Sequence, residues 1–439
     1  MKILEYASMK NGLLTHKPIK PLQDAMQSKP YDETLGPNGI RIYPREKQNI
    51  LGFGGAFTQS SAYLYHQMSE KEKRKALELL FGESGLKYNF CRICIGSCDF
   101  SLGEYSYIKD DDTTLASFNI AEDKKYVIPF IKDAMAYAKE ELLLMASPWS
   151  PPAFMKENGK LTEGTKLKKE YYRLYAAYIV KFIEAYAEEG IKISILTLQN
   201  EPSATQTWES CFFSPEDEAA FCDVLYNTLK EKGLEVKLLC WDHNKGSMYP
   251  RASVMYPQMQ EKIWGMAFHW YDGYHFDDLS LMCDAFPDKV LVGTEFCTSE
   301  VRVPFEYNIE ILNDLRCGAA GILEWNLILD EHGGPYHHRE TGCIPPVSWN
   351  TQTGDLSVRN TYAQMYMFSH FIKRHARALY ASSPDCNIQT LACRNPDGTI
   401  VSTVLNCLNT EKTISICYQN EAFPITLYAG ETATLLLRE

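Results

Sequence analysis

The sequence alternates eight times between short apolar runs and amphipathic stretches of helical period, and this alternation limits the fold more than any other feature. Strand-like runs fall at 50–57, 88–95, 142–146, 193–198, 236–240, 263–268, 290–293 and 321–323. Helical patterns separate them at 69–81, 128–138, 167–188, 215–232, near Met255, and at 279–286, 307–316 and 361–373. Ser69 with Glu72 three residues later has the form of a capping box, and Gly190 is placed to stop the longest helix. Strands buried on both faces read as continuous apolar runs, and eight strand–helix units predict a closed parallel (β/α)8 barrel over 49–376. Beyond residue 377 the period becomes two, with strands expected at 388–393, 399–406, 413–418, 423–428 and 432–437. Asn395-Pro396-Asp397-Gly398 is a hairpin turn signal within them. The expected fold class is therefore α/β: a TIM barrel with a small C-terminal antiparallel β-sandwich domain over 377–439. Residues 1–48, rich in Lys, Pro and turn residues, are expected to contribute to that side domain.

A chain of 439 residues is long enough for both units. A net charge of -12 argues against nucleic acid as a partner. No run is apolar for the roughly 18 residues a membrane span needs, and the N-terminus lacks the apolar core of a leader. Fourteen cysteines sit scattered in apolar runs, which predicts buried, reduced thiols and a cytoplasmic protein. Cys91, Cys94 and Cys98 imitate a metal motif, but Cys91 and Cys94 face opposite sides of a strand, so no metal site and no cofactor are expected. The 27 Tyr and 7 Trp fit either a large core or an aromatic-lined cleft.

Two strand-like runs end in an acid. Leu196-Thr197-Leu198-Gln199 leads into Asn200-Glu201-Pro202, and Val290-Leu291-Val292-Gly293-Thr294 leads into Glu295. At roughly 30 residues per unit, the two acids stand about three units apart, at the ends of the fourth and seventh strands. Those ends face each other across the mouth of the barrel. Two carboxylates flanking one bound group suit glycoside hydrolysis, in which one protonates the leaving oxygen while the other attacks carbon or activates water. Either acid taken alone reads equally well as a salt-bridge partner at the rim.

The chain resembles glycoside hydrolase family 30, and its pattern is similar to that of the glucosylceramidases. The resembling segments are Gly52-Phe53-Gly54-Gly55-Ala56, Ser97-Cys98-Asp99-Phe100-Ser101, Ala146-Ser147-Pro148-Trp149, Asn200-Glu201-Pro202-Ser203, His269-Trp270-Tyr271 and Trp325-Asn326-Leu327. The resemblance implies a retaining hydrolase of β-linked glucosides or oligosaccharides, with Glu201 as acid/base and Glu295 as nucleophile. It implies that Asn200 holds the sugar 2-hydroxyl, Tyr271 donates to Glu295, and His269 orders that carboxylate or its neighbours. Arg92 is expected near the nucleophile or in a structural ion pair, since a cation in an apolar strand needs an anion. Asp99, Trp149, Trp325 and Asn326 are the expected sugar-binding residues, with Asn326 alternatively orienting Trp325. Trp208, Trp241 and Trp270 are expected near the same face. An acid/base at neutral pH also needs a raised pKa.

Two features depart from the family pattern. Glu324 stands where the glucosylceramidases have Asp, and the loop from Asp330 to Cys343 diverges after its Gly-Gly-Pro turn. That loop is expected to border the leaving group, with His337 and His338 as loop surface or substrate contacts and a poor metal site, since adjacent residues seldom share a ligand geometry. A β-1,6-glucanase or β-xylosidase of the same family, and a non-catalytic carbohydrate-binding barrel, are the competing readings.

Overall fold

The structure, a computed structural model, describes residues 2–16, 29–30, 38–298, 306–338 and 342–438. Parts of the N-terminal segment and of the loop after Asp330 (17–28, 31–37 and 339–341) lie outside the described residues. Eight parallel strands close into the expected barrel. In chain order they are Gly52–Phe57, Phe90–Ile95, Leu143–Pro148, Ile195–Thr197, Lys237–Asn244, Gly265–His269, Val290–Phe296 and Ala319–Asn326.

The barrel interior is layered because inward positions recur every second residue. One layer is apolar: Phe90, Met145, Ile195, Leu239, Ala267, Val292 and Leu323 pack together. Two residues further along each strand, toward the C-terminal mouth, the character changes. Arg92, Ser147, Thr197, His269, Thr294 and Trp325 follow, all buried. The fifth strand breaks this count. Its pairing with the sixth slips between Ala267 and Phe268, where Trp241 and Asp242 adopt left-handed φ angles of 74° and 48°. The slip turns Asp242, three residues after Leu239, into the polar layer. A similar slip between Phe268 and His269 sets Glu295 opposite His269.

The helices follow local signals where these are strong. Helix Glu70–Phe81 begins on the Ser69–Glu72 capping box, and Pro215–Glu231 begins on Ser214, whose hydroxyl accepts from Asp217 N. The sequence gives no sign of helix Gln59–Gln67, a short segment of Ser, Tyr and Gln with weak propensity. It forms because Thr58 caps it and its buried face packs on strand Ile328–Asp330 and helix Val127–Tyr137. The long helix starts at Tyr172 rather than Leu167, after a 3-10 turn at Lys169–Tyr171.

The side domain is a ten-stranded sheet folded over its own core, which includes Ile3, Ile42, Val404, Ile416 and Leu435. The N-terminal segment contributes to the side domain, as expected, with more than one strand. Lys2–Lys10 pairs with Thr432–Arg438, and Gly39–Asn49 lies between Arg377–Ser382 and Lys412–Tyr418. The domain docks through polar bonds such as Thr434 Oγ1 to Met367 O at 2.8 Å and Asn308 Nδ2 to Thr432 Oγ1 at 2.7 Å. Among the described residues, no helix is long and apolar enough to cross a membrane.

Gly54 in the first strand allows the second strand, which carries Arg92, to approach closely. A Cβ there would overlap the Phe90 carbonyl oxygen. Gly54→Ala is expected to lower stability in urea denaturation by about 1–3 kcal/mol through overpacking and to reduce activity. Ser69→Ala, on the outer surface, is expected to cost about 1 kcal/mol of cap stability and leave activity unchanged.

Candidate active site

The polar layer converges on Arg92, a fully buried cation. Its Nη2 donates to Asp242 Oδ2 at 2.7 Å and to Asn200 Oδ1 at 2.8 Å. Its Nη1 donates to Glu295 Oε2 at 2.7 Å, and its Nε donates to Ser147 Oγ at 3.0 Å. The guanidinium also lies 4.6 Å from the ring centre of Trp149. One side chain thus fixes the ends of four strands and an aromatic wall. Asp242, also fully buried, accepts from Thr197 Oγ1 at 2.6 Å, Thr294 Oγ1 at 2.5 Å and His269 Nε2 at 3.1 Å. Burial works to raise its carboxyl, but Arg92, His269 and Thr197 hold it well below the usual range.

Glu201 follows the fourth strand at a φ of 47°, a strained angle for a side-chain-bearing residue. Backbone bonds impose it. Asn200 N donates to Pro148 O at 2.8 Å, and Glu201 N donates to Asp242 O at 2.9 Å. The Glu201 side chain meets His269, whose Nδ1 is 3.2 Å from Glu201 Oε1 and 3.9 Å from Glu295 Oε1. Glu295 Oε1 also accepts from Tyr271 Oη at 2.9 Å. The two acids therefore share one imidazole nitrogen across the barrel mouth.

Burial tends to lower His269, but Glu295, Asp242 and Glu201 outweigh it and raise this imidazole to about 9. The resulting imidazolium changes the expectation for Glu201. Burial pushes that carboxyl up, yet the His269 hydrogen bond and charge, with His243 and Gln206, bring it below its ordinary value. The raised carboxyl expected from the sequence is thus absent from Glu201 alone, because the neighbouring histidine holds the proton. Asp99 behaves oppositely: burial, then Glu295, Glu201 and Glu209, push it well above the usual range.

These groups border a cavity of about 460 Å³ lined by Asp99, Trp149, Asn200, Glu201, Tyr271, Glu295 and Trp325, among others. Trp149 and Trp325 stack at 5.0 Å and form one wall. Arg92 and His269 stand behind this lining, fully buried. Phe100, Gln206, Trp208, His243, Asn244, Cys297 and Thr298 complete the lining. Of these, the sequence singled out only Trp208 as near this face. A charged residue in the apolar run Leu238-Leu239-Cys240-Trp241-Asp242 was the available signal for Asp242, as the anion that Arg92 requires.

Several expectations need correction. Asn326 does not reach the cavity: it is buried behind the wall, where its Oδ1 accepts from Thr58 Oγ1 at 2.7 Å. Trp270 and Trp241 face away, the first donating to Cys297 O and the second stacked by Arg251. Glu324 points outward into a buried pocket, where Tyr88 and Tyr307 donate to it. Burial there raises Glu324 to about 8, so this departure from the family pattern does not touch the sugar pocket. Cys297 and Cys343 are joined by a disulfide, contrary to the expectation of reduced thiols throughout, and the other cysteines are free. The bridge ties the end of the seventh strand to the loop after the eighth. His337 is not loop surface. It is mostly buried, its Nδ1 donates to Ser101 O at 2.9 Å, and its Nε2 faces Glu209 at 3.1 Å. Glu201, His243 and His269 also lie close enough together to surround an ion. However, both His269 nitrogens are already directed at carboxylates.

The barrel, its paired carboxylates and its tryptophan wall define a sugar-cleaving site, and sequence comparison agrees. Residues 50–372 match the glycosyl hydrolase family 30 TIM-barrel domain, and residues 378–434 match the β-sandwich domain of the same family. The chain belongs to glycosyl hydrolase family 30 and is a glycoside hydrolase. It is 28% identical over 420 residues to the lysosomal acid glucosylceramidase of Mus musculus, covering 89% of this chain and 81% of that protein. It is 26% identical over 417 residues to an endo-1,6-β-D-glucanase of Neurospora crassa, covering 89% and 86%. The crystal structure of SrfJ from Salmonella typhimurium superposes with a TM-score of 0.92 over 99% of both chains, at 31% identity.

The His269 imidazolium makes the fold sensitive to alkali. Its pKa is raised on folding, so its stabilisation is complete below the unfolded value of about 6.5 and is lost as pH rises from there through about 9. The stability advantage of wild type over His269→Gln, read from urea midpoints, is expected to shrink across this window.

Proposed function

We propose that the protein is a retaining β-glucosidase of the glucosylceramidase type, releasing terminal glucose from a β-glucoside. The observation that carries this reading is the shared contact of Glu201 and Glu295 with His269 Nδ1 at the edge of one tryptophan-walled cavity. It supports the close pairing of a retaining site, about 5–5.5 Å, over the about 6.5–9.5 Å that leaves room for water in an inverting one. The cavity size suits one sugar ring held between an aromatic face and polar groups.

In this reading Glu295 attacks the anomeric carbon. Arg92 and Tyr271 each donate a hydrogen bond to its carboxylate and aim it. Glu201 protonates the departing oxygen, and a covalent glycosyl-enzyme forms. Water, deprotonated by Glu201, then releases the sugar. The proton that Glu201 delivers comes from the pair it forms with His269. His269 Nδ1–H donates to Glu201 Oε1, so the pair holds one proton to well above neutrality. Asn200, oriented through its Oδ1 by Arg92, is placed to hold the sugar 2-hydroxyl.

A β-1,6-glucanase is the second reading, favoured by the Neurospora crassa relative. Incubation with aryl β-glucoside, aryl β-xyloside, β-1,6-glucan and glucosylceramide separates the alternatives. The proposal expects the highest kcat/KM on a glucoside with a single terminal glucose. Preference for β-1,6-glucan would establish the second reading, and turnover of none would sink both.

Two variants test the roles. Glu201→Gln is expected to lose about 10²–10⁴-fold in kcat on poor leaving groups, recovering in part with an activated leaving group and azide. His269→Gln is expected to move the alkaline limb of kcat/KM to lower pH, because Glu201 must then hold the proton unaided. An unmoved limb would count against the shared-proton role.

A further inference from the structure

Outside the catalytic pair, three ligand-type side chains from two loops meet beside the sugar pocket, and a fourth from a third loop contacts one of them. Glu209 follows Trp208 in the loop after the fourth strand and is almost fully buried. Its carboxylate oxygens lie 3.1 and 3.2 Å from His337 Nε2. His338 Nε2 lies 3.1 Å from Oε1 of Glu104, in the loop after the second strand. One ligand atom each of Glu209, His337 and His338 can be chosen so that all lie within 4.8 Å of one another.

Adjacent histidines in extended chain point to opposite sides. Here His338 has a left-handed φ of 66°, which turns both rings to one side, with centroids 4.3 Å apart. That strained angle removes the objection that neighbouring residues cannot share one ion. His337 also has the outer contact of a metal ligand: Nδ1–H donates to the Ser101 carbonyl, which fixes the ring and aims Nε2 at Glu209.

We propose that Glu209, His337, His338 and Glu104 form a site for a divalent transition cation of the zinc class. Two imidazoles and two carboxylates are a suitable donor set, and the two carboxylates balance the charge of the ion. Ligand bonds of about 2.0–2.1 Å in a tetrahedron put donor atoms about 3.3–3.4 Å apart, close to the 3.1 and 3.2 Å spacings here. The wider gap closes by rotation of His338, which is exposed and bonds Glu104. The ion joins the loop after the eighth strand to the loops carrying Asp99 and Trp208, both of which line the sugar cavity. His337 N already donates to the Asp99 carbonyl at 3.0 Å along this seam. The site uses neither Glu201 nor Glu295, so its test is independent of the hydrolytic roles.

The full chain, stripped with chelator, is titrated with Zn²⁺ by calorimetry and with Co²⁺ by absorption. One ion per chain is expected, with tetrahedral d–d bands, no thiolate-to-cobalt charge transfer, and a higher Tm. His338→Ala and Glu104→Gln, at partly exposed positions that tolerate change, are expected to weaken binding at least tenfold, as is Glu209→Gln. Absence of stoichiometric binding would overturn the proposal. So would a thiolate-type spectrum, or affinity unchanged in both His338→Ala and Glu104→Gln.

Discussion

The site depends on one buried ion pair, Arg92 with Asp242, at 2.7 Å and with neither side chain exposed. A guanidinium with no access to water must be fully paired, and removing one partner of such a pair typically costs about 3–5 kcal/mol. Arg92, on the second strand, spends its donors on the third, fourth, fifth and seventh strand ends: Ser147, Asn200, Asp242 and Glu295 all bind to it. Satisfying the cation therefore also sets the positions of the groups that face the sugar. Fold stability and site geometry are one constraint here.

The charges in the pocket follow from the same pair. Asp242, kept ionised by Arg92, holds His269 from one side while Glu201 and Glu295 face its other nitrogen. The histidine is charged because anions surround it, and its charge lowers Glu201 in turn. Acid strength in this site is a property of the Glu201–His269 pair rather than of one carboxyl. Glu324 shows the contrast. Equally buried but given only tyrosine hydroxyls, it rises to about 8 and plays no part in the pocket.

The barrel, the side domain and most strands were legible in the sequence because apolar periodicity records burial directly. Glu201, Glu295, Asn200, Tyr271, Asp99, Trp149 and Trp325 were legible because they end strands or lie in family-like motifs, and all of them border the cavity. Asp242 was not, because strict alternation from Leu239 puts Trp241 inside, and only the backbone slip at Trp241 and Asp242 reverses this. Helix Gln59–Gln67 was missed because its stability comes from tertiary packing and a cap, not from propensity. The Cys297–Cys343 bridge spans 46 residues, a separation that carries no local signal. Asn326 misled because it follows Trp325 in the motif, and neighbouring strand residues face opposite ways.

The central claim is that Glu201 and Glu295 act as a retaining pair held in register by Arg92. The stereochemistry of the first product tests it most directly. Proton NMR during hydrolysis of an aryl β-glucoside, read before mutarotation, should show the β-anomer of the released sugar appearing first. Initial appearance of the α-anomer would contradict the account.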